Sequence, residues 1–189
     1  MAKDQALKAT SLAEITSRLE IADRSIIAID GPAGAGKTTL ANRIADRFSR
    51  KSAIVHMDDL YDGWDSSLTP KLTRTLVNQI LVPVWQGKDF GYRKYDWLTA
   101  RFGEPNRFSA PDLLIVEGVG SGQRATGKYL TELIWIDIEP EVGLTRVLAR
   151  DGEYLHEEML VWQMREYEHF KAENTRDRAT IRLDGKLFI

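Results

Sequence analysis

Ile26-Ile27-Ala28-Ile29-Asp30-Gly31-Pro32-Ala33-Gly34-Ala35-Gly36-Lys37-Thr38-Thr39 is a short apolar run that opens into a glycine-rich loop. The spacing from Gly31 to Gly36, followed by Lys37 and Thr38, satisfies G-x-x-x-x-G-K-[ST]. A β-type run before the motif and a helical pattern after it are the setting it requires. The stretch reads as a P-loop. Gly31, Gly34 and Gly36 can take backbone angles closed to residues with a Cβ, so successive N–H groups can turn inward around phosphate oxygens. Lys37 is expected to reach the β- and γ-phosphates and Thr38 to ligate Mg2+ through its hydroxyl. The helix that starts near Gly36 would aim its positive end at the same anion. The expected nucleotide-binding residues are Gly31, Ala33, Gly34, Ala35, Gly36, Lys37, Thr38 and Thr39.

The whole chain bounds what such a loop can serve. At 189 residues it fits one domain with a real core, and 43% hydrophobic with 29% charged residues is a globular composition. A net charge of −2 gives no electrostatic footprint for nucleic acid or an anionic membrane. Cysteine is absent, which excludes disulfides and thiolate metal sites and fits a reducing compartment, so any metal is expected to be oxygen-bound. Residues 1–23 hold no apolar run long enough for a signal peptide or membrane span, and the cytoplasm is the expected location. Leu7, Leu12, Ile15 and Leu19 recur at near-helical spacing there, as in an amphipathic helix packed on the domain or offered to a partner.

Beyond the P-loop, Thr38 to Phe48 reads as its helix, with Leu40, Ile44, Ala45 and Phe48 on one face. Ser52 to Met57 reads as a second strand that ends at Asp58-Asp59. In open α/β sheets the ligand crevice lies outside the carboxyl ends of the strands, so both carboxylates are placed beside the phosphate site, and chemistry alone does not choose between them. Ser66 to Val84 has a helical pattern. Trp85 to Phe108 is rich in glycine, aromatic and charged residues and reads as an insert or lid without strong secondary structure. Tyr92, Tyr95, Trp97 and Phe102, interleaved with Arg93, Lys94 and Arg101, either stack on a ligand ring or pack the insert onto the sheet. Leu113 to Val116 is a buried strand closed by Glu117, suited to holding a Mg2+ hydration shell or a substrate hydroxyl. Leu133 to Ile138 reads as a fourth strand, and Pro140 opens a helix on which Arg146 and Arg150 share a face, as a phosphate clamp or as solvated charges. Tyr154 to Phe170 reads as a long helix and Ala179 to Leu183 as a last strand. His56, His156 and His169 have no ligand spacing and are expected to be structural or exposed.

From about Ile26 to Asp184 these motifs resemble the P-loop nucleoside kinases of the uridine kinase family, with its phosphoribulokinase-like and pantothenate kinase-like branches. Asp58-Asp59-Leu60-Tyr61 is similar to the family's D-x-F-Y segment, whose first Asp is the general base. Tyr95-Asp96-Trp97 is similar to Y-D-F, whose aromatic contacts the nucleobase. Val116-Glu117-Gly118 resembles its strand ending in Glu-Gly, and Arg146 to Asp151 its lid helix. The resemblance implies ATP and Mg2+ as cofactors and catalysis by Asp58, Lys37, Arg146 and Arg150. It also implies Mg2+ contacts from Thr38, Glu117 and Asp58, and an acceptor held by Asp59, Tyr61, Tyr95, Asp96, Arg101 and Glu117. The implied fold is a three-layer α/β P-loop NTPase domain over 1–189 with a five-stranded, mainly parallel sheet. It comprises an N-terminal helix over 1–23, an acceptor-binding insert over 62–108 and a short lid over 146–158. The expected partner is a small-molecule hydroxyl acceptor, not nucleic acid or membrane, with a homodimer left open. The chain departs from the family where Ala100-Arg101 stands in place of a pyrimidine-reading His, and where Val147 replaces a lid arginine. A kinase of the same fold for a sugar, vitamin precursor or nucleotide, and a nucleotide-regulated binding protein without turnover, are the alternatives.

Overall fold

The strand that leads into the glycine loop, β1 (Ser25–Asp30), is buried at all six positions. In a computed structural model that describes residues 12–19 and 23–186, it lies at the centre of a five-stranded sheet. The order is β2 (Ser52–His56), β5 (Leu113–Glu117), β1, β6 (Glu132–Asp137) and β7 (Ile181–Asp184), and every pairing is parallel. Side chains alternate across the pleat, so each central strand feeds two cores. Ile27, Ile29, Leu113 and Ile115 face α1 (Leu12–Leu19) and α2 (Lys37–Arg47). Ile26, Leu114 and Val116 face the opposite helical layer. The expected three-layer α/β P-loop architecture is present.

Ile15 and Leu19 of α1 are fully buried against the α2 layer, each worth roughly 1.5–3 kcal/mol of apolar burial. Over its described length α1 is therefore a core-facing helix; Leu7 lies outside the described residues. The second layer holds one continuous helical rod: α3 (Pro70–Thr75), a π-helical turn (Leu76–Leu81) and α4 (Val82–Trp85). Pro83 explains the π turn. Its ring clashes with the carbonyl four residues back, and a widened turn relieves that clash without breaking the rod. In the same layer lie α5 (Pro140–Asp151) and α6 (His156–Glu173), followed by α7 (Thr175–Arg178).

Two sequence expectations are corrected. The second strand stops at His56, and Met57–Asp59 forms a 3-10 turn that carries both aspartates. The stretch read as lacking strong secondary structure forms an antiparallel hairpin, β3 (Phe90–Asp96) with β4 (Arg101–Phe108). Stacked Phe90, Tyr92 and Phe108 fix its base, and a register shift between Arg93 and Tyr95 accommodates Pro105 on the facing strand. Among the described residues, no helix is long and apolar enough to cross a membrane.

The glycine loop and the first turn of α5 touch backbone to backbone. A Cβ on Gly143 would stand 2.5 Å from the carbonyl oxygen of Ala33, and one on Gly34 would stand 2.3 Å from that of Gly143. Gly143→Ala is therefore expected to cost about 1–3 kcal/mol in denaturant unfolding by pushing the loop out of place. Gly103→Ala, whose Cβ would meet an ordinary 3.6 Å contact, is the control and should stay within about 0.5 kcal/mol of wild type.

Candidate functional site

The carboxyl ends of β1, β2 and β5 deliver Asp30, His56 and Glu117 to one edge of the sheet, with Glu117 in register with both Ile29 and His56. A cleft of about 800 Å³ opens there. It is lined by the glycine loop and the start of α2, by Asp58, Tyr61 and Glu117, and by Arg146 and Arg150 of α5.

The loop has the conformation its glycines permit. Gly31, Gly34 and Gly36 have φ of 142°, 77° and 91°, and Gly36 in the left-handed region starts α2. Asp30 anchors the loop from below. It is wholly buried and accepts backbone N–H bonds from Gly31 (2.8 Å), Gly120 (3.2 Å) and Gly122 (2.8 Å). Burial pushes its carboxyl up to about 6, against the opposing pull of these bonds and of Lys37. Lys37 is itself buried and donates to the carbonyls of Gly31 (2.8 Å) and Pro32 (2.7 Å).

Glu117 is the junction of the site. Its Oε1 accepts the Thr38 hydroxyl at 3.0 Å and meets His56 Nδ1 at 2.5 Å. The bond to Glu117 raises the His56 pKa above its ordinary value, and the place of His56 is structural, holding the Glu117 carboxylate. Asp58 opens to the cleft while its carboxyl lies among protein atoms. Desolvation and then the neighbouring Glu117 raise its pKa, and Lys37 and Arg150 pull it back. Asp59 is committed elsewhere, accepting from Lys94 (2.8 Å) and from the Tyr92 hydroxyl (3.3 Å). The structure thus separates two adjacent carboxylates that residue chemistry alone leaves equivalent.

The remaining expected acceptor residues fall in two groups. Tyr61 is on the cleft wall but buried, its hydroxyl donating to the Val119 carbonyl at 2.7 Å. Tyr95, Asp96 and Arg101 belong to the hairpin and, with Asp59, stand off the cleft wall. Asp96 caps the hairpin turn by accepting from Leu98 (2.9 Å) and Thr99 (3.2 Å). Arg146 donates to Gly34 O (3.4 Å) and Gly185 O (3.1 Å), and Arg150 forms a two-point pair with Asp151 (2.7 and 2.6 Å).

Sequence reasoning missed the roles of Asp30 and Glu166, the bond between His56 and Glu117, and two members of an aromatic wall, Trp64 and Trp162; Trp97, read from the sequence as a ring that stacks on a ligand or packs the insert, is the third. Trp64, Trp97 and Trp162 line the cleft beyond Asp58. Trp64 meets Trp97 at 5.2 Å and Trp162 at 5.9 Å between ring centres, and Trp162 meets Tyr61 at 5.5 Å. The Trp97 indole N–H donates to the Asp58 carbonyl at 3.1 Å. Glu166, on the inner face of α6, is 4% exposed. It accepts from Ala33 N at 3.0 Å and stands one turn after Trp162 on the same inner face, so α6 brings one carboxylate on the glycine loop and one ring of the aromatic wall together. A usable signal existed: Glu166 sits at helical spacing from Met159, Trp162 and Phe170, a charge on an apolar stripe.

The donor set fits Mg2+. The Thr38 hydroxyl and the Glu117 and Asp58 carboxylates are hard oxygen donors on one cleft, and Mg2+ commonly takes one or two carboxylates with phosphates completing its shell.

No protein-family profile matches the chain. It is 26% identical over 145 residues to a uridine kinase of Staphylococcus haemolyticus (strain JCSC1435), covering 69% of this chain and 70% of that one. It is 27% identical over 141 residues to a uridine kinase of Staphylococcus carnosus (strain TM300), covering 67% and 68%. A structure of a possible uridine kinase from Bacillus stearothermophilus superposes with a TM-score of 0.67 at 17% identity, over 92% of this chain and 97% of that one. Together these place the chain in the P-loop kinase superfamily.

Burial pushes the Glu166 carboxyl up to about 7 from 4.5, while Lys37 and the bond from Ala33 oppose the rise. A carboxyl whose folded pKa is raised binds more protons folded than unfolded, so its contribution to stability falls as pH rises from about 4.5 to 7. The stability of wild type minus that of Glu166→Gln is expected to decline across that window, by up to roughly 3 kcal/mol, and to be flat above it. Chemical denaturation at a series of pH values reads the difference.

Proposed function

We propose that this chain is an ATP-dependent kinase that transfers the γ-phosphoryl group to a hydroxyl of a small uncharged acceptor, a nucleoside or nucleoside-like molecule. The observation that carries the reading is the convergence of the Asp58 carboxylate, the Thr38–Glu117 pair and the glycine loop on one cleft. Phosphoryl transfer asks mostly for positioning and charge neutralisation, which these groups supply. The acceptor oxygen forms a bond to the γ-phosphorus as the bond from that phosphorus to the β–γ bridging oxygen breaks and ADP leaves. Asp58 takes the hydroxyl proton and releases it to solvent. Asp58 suits this task because its carboxylate is open to the cleft, whereas Asp59 is held by Lys94 and Tyr92. Mg2+ held by Thr38 and Glu117 would neutralise charge on the phosphates. His56, bonded to Glu117, fixes the orientation of that carboxylate.

The charges of the cleft favour an acceptor without an anionic group. Lys37 and Arg146 bond to glycine-loop carbonyls, and Arg150 is paired with Asp151. Nearby, Lys94 is paired with Asp59, and Arg165 with Asp65. Beyond Asp58 the wall is tryptophan with Leu155, Met159 and Val119, which suits the flat face of a base or the C–H face of a sugar. That wall also supports a second reading, the same transfer to a neutral sugar.

Asp58→Asn is expected to lower acceptor-dependent ADP formation about 10²- to 10⁴-fold, with ATP affinity kept. Full activity in that variant would overturn the base assignment. Because the Asp58 pKa is raised and the base must be ionised, kcat/KM should fall with decreasing pH at a value above an ordinary aspartate's. Lys37→Ala should weaken ATP binding in titration calorimetry, and an unchanged isotherm would sink the nucleotide reading. Acceptors assayed as matched pairs, neutral alcohol against its phosphate ester, should show a preference for the neutral member.

A further inference from the structure

α6 is apolar on two opposite faces. Met159, Trp162 and Phe170 pack inward, whereas Leu160 (39% exposed), Val161 (48%), Met164 (70%) and Tyr167 (62%) point outward. A helix apolar on both sides is normally covered on both sides. At about 100° per residue the outer stripe is centred on Met164, with Glu157 seven residues before it and Lys171 seven residues after, both close to the stripe's midline. Leu160 and Tyr167, four before and three after, lie on the same flank. The pattern is therefore self-complementary when one copy is reversed against another. Glu157 then faces Lys171 of the partner subunit, Leu160 faces Tyr167 of the partner subunit, and the two Met164 side chains meet at the two-fold axis. A parallel pairing would instead set Glu157 on Glu157 and Lys171 on Lys171. Glu157 is 89% exposed, with a 3.4 Å contact to His156, and Lys171 is exposed.

We propose that the outer face of α6 is the interface of a homodimer in which two copies of this chain pack antiparallel about Met164. The charge pattern selects a second copy over an unrelated protein, because an isologous interface requires each patch to complement itself. The inference is independent of the kinase reading. One helical stripe covers less than the roughly 800 Å² per partner of a standard interface, so the dimer should be weak and concentration-dependent.

Sedimentation velocity on the full chain, from low micromolar to several hundred micromolar, tests this. Wild type is expected to show a monomer–dimer equilibrium. Met164→Glu should be monomeric throughout, with an unchanged circular dichroism spectrum and unchanged ATP binding. Glu157→Lys alone should raise the dissociation constant about tenfold, and adding Lys171→Glu should bring it back; this pair tests the interface even if Met164→Glu fails to fold. A wild type that stays monomeric, or dimers insensitive to these changes, would overturn the proposal.

Discussion

Everything at the sheet edge depends on one buried carboxylate. Asp30 ends the central strand, and three backbone N–H groups from two different loops converge on it. Leaving three amides unpaired in that interior would cost a few kcal/mol each, and leaving the carboxylate unpaired would cost more. The loop after β1 and the loop after β5 are thereby held in a fixed relation, and Glu117, just before the second loop, is placed against Thr38 in the first turn of α2, just after the first. Ser121 adds a bond to the Ile29 carbonyl at 3.0 Å, which ties the loop after β5 to β1 as well.

The outer elements extend the same frame. α5 reaches the glycine loop through the Gly34–Gly143 contact, which leaves no room for a side chain on either residue. α6 reaches it through Glu166, which stands one turn after Trp162 on the inner face of the helix. The glycine loop and the tryptophan wall are thus both tied to one helix.

Much of this was legible in the sequence because it is local. The motif from Gly31 to Thr38, the apolar strand closing in Glu117 and the strand delivering Asp58 each lie within a dozen residues, and periodicity locates them. What escaped was long-range or exposed. His56 meets Glu117 across 61 residues, and no spacing rule links them. Ala33 and Glu166 are 133 residues apart. The hairpin escaped because β4, Arg-Phe-Gly-Glu-Pro-Asn-Arg-Phe, is largely exposed and interrupted by Gly103 and Pro105, so it lacks the alternation that marks a half-buried strand. Residue chemistry alone does not choose between Asp58 and Asp59; the family resemblance favours Asp58, and the contacts of Asp59 with Lys94 and Tyr92 are a long-range reason that no local pattern carries.

The tryptophan wall has an optical consequence. Three of the five indoles in the chain stand within 6 Å of a neighbouring indole in one cluster beside Asp58. Such close chromophores exchange excitation energy and couple in near-ultraviolet absorption, so their emission reports on the cluster as a unit. Any molecule that enters between that wall and the phosphate loop alters the surroundings of all three together. The protein carries its own spectroscopic gauge of cleft occupancy, with no label attached.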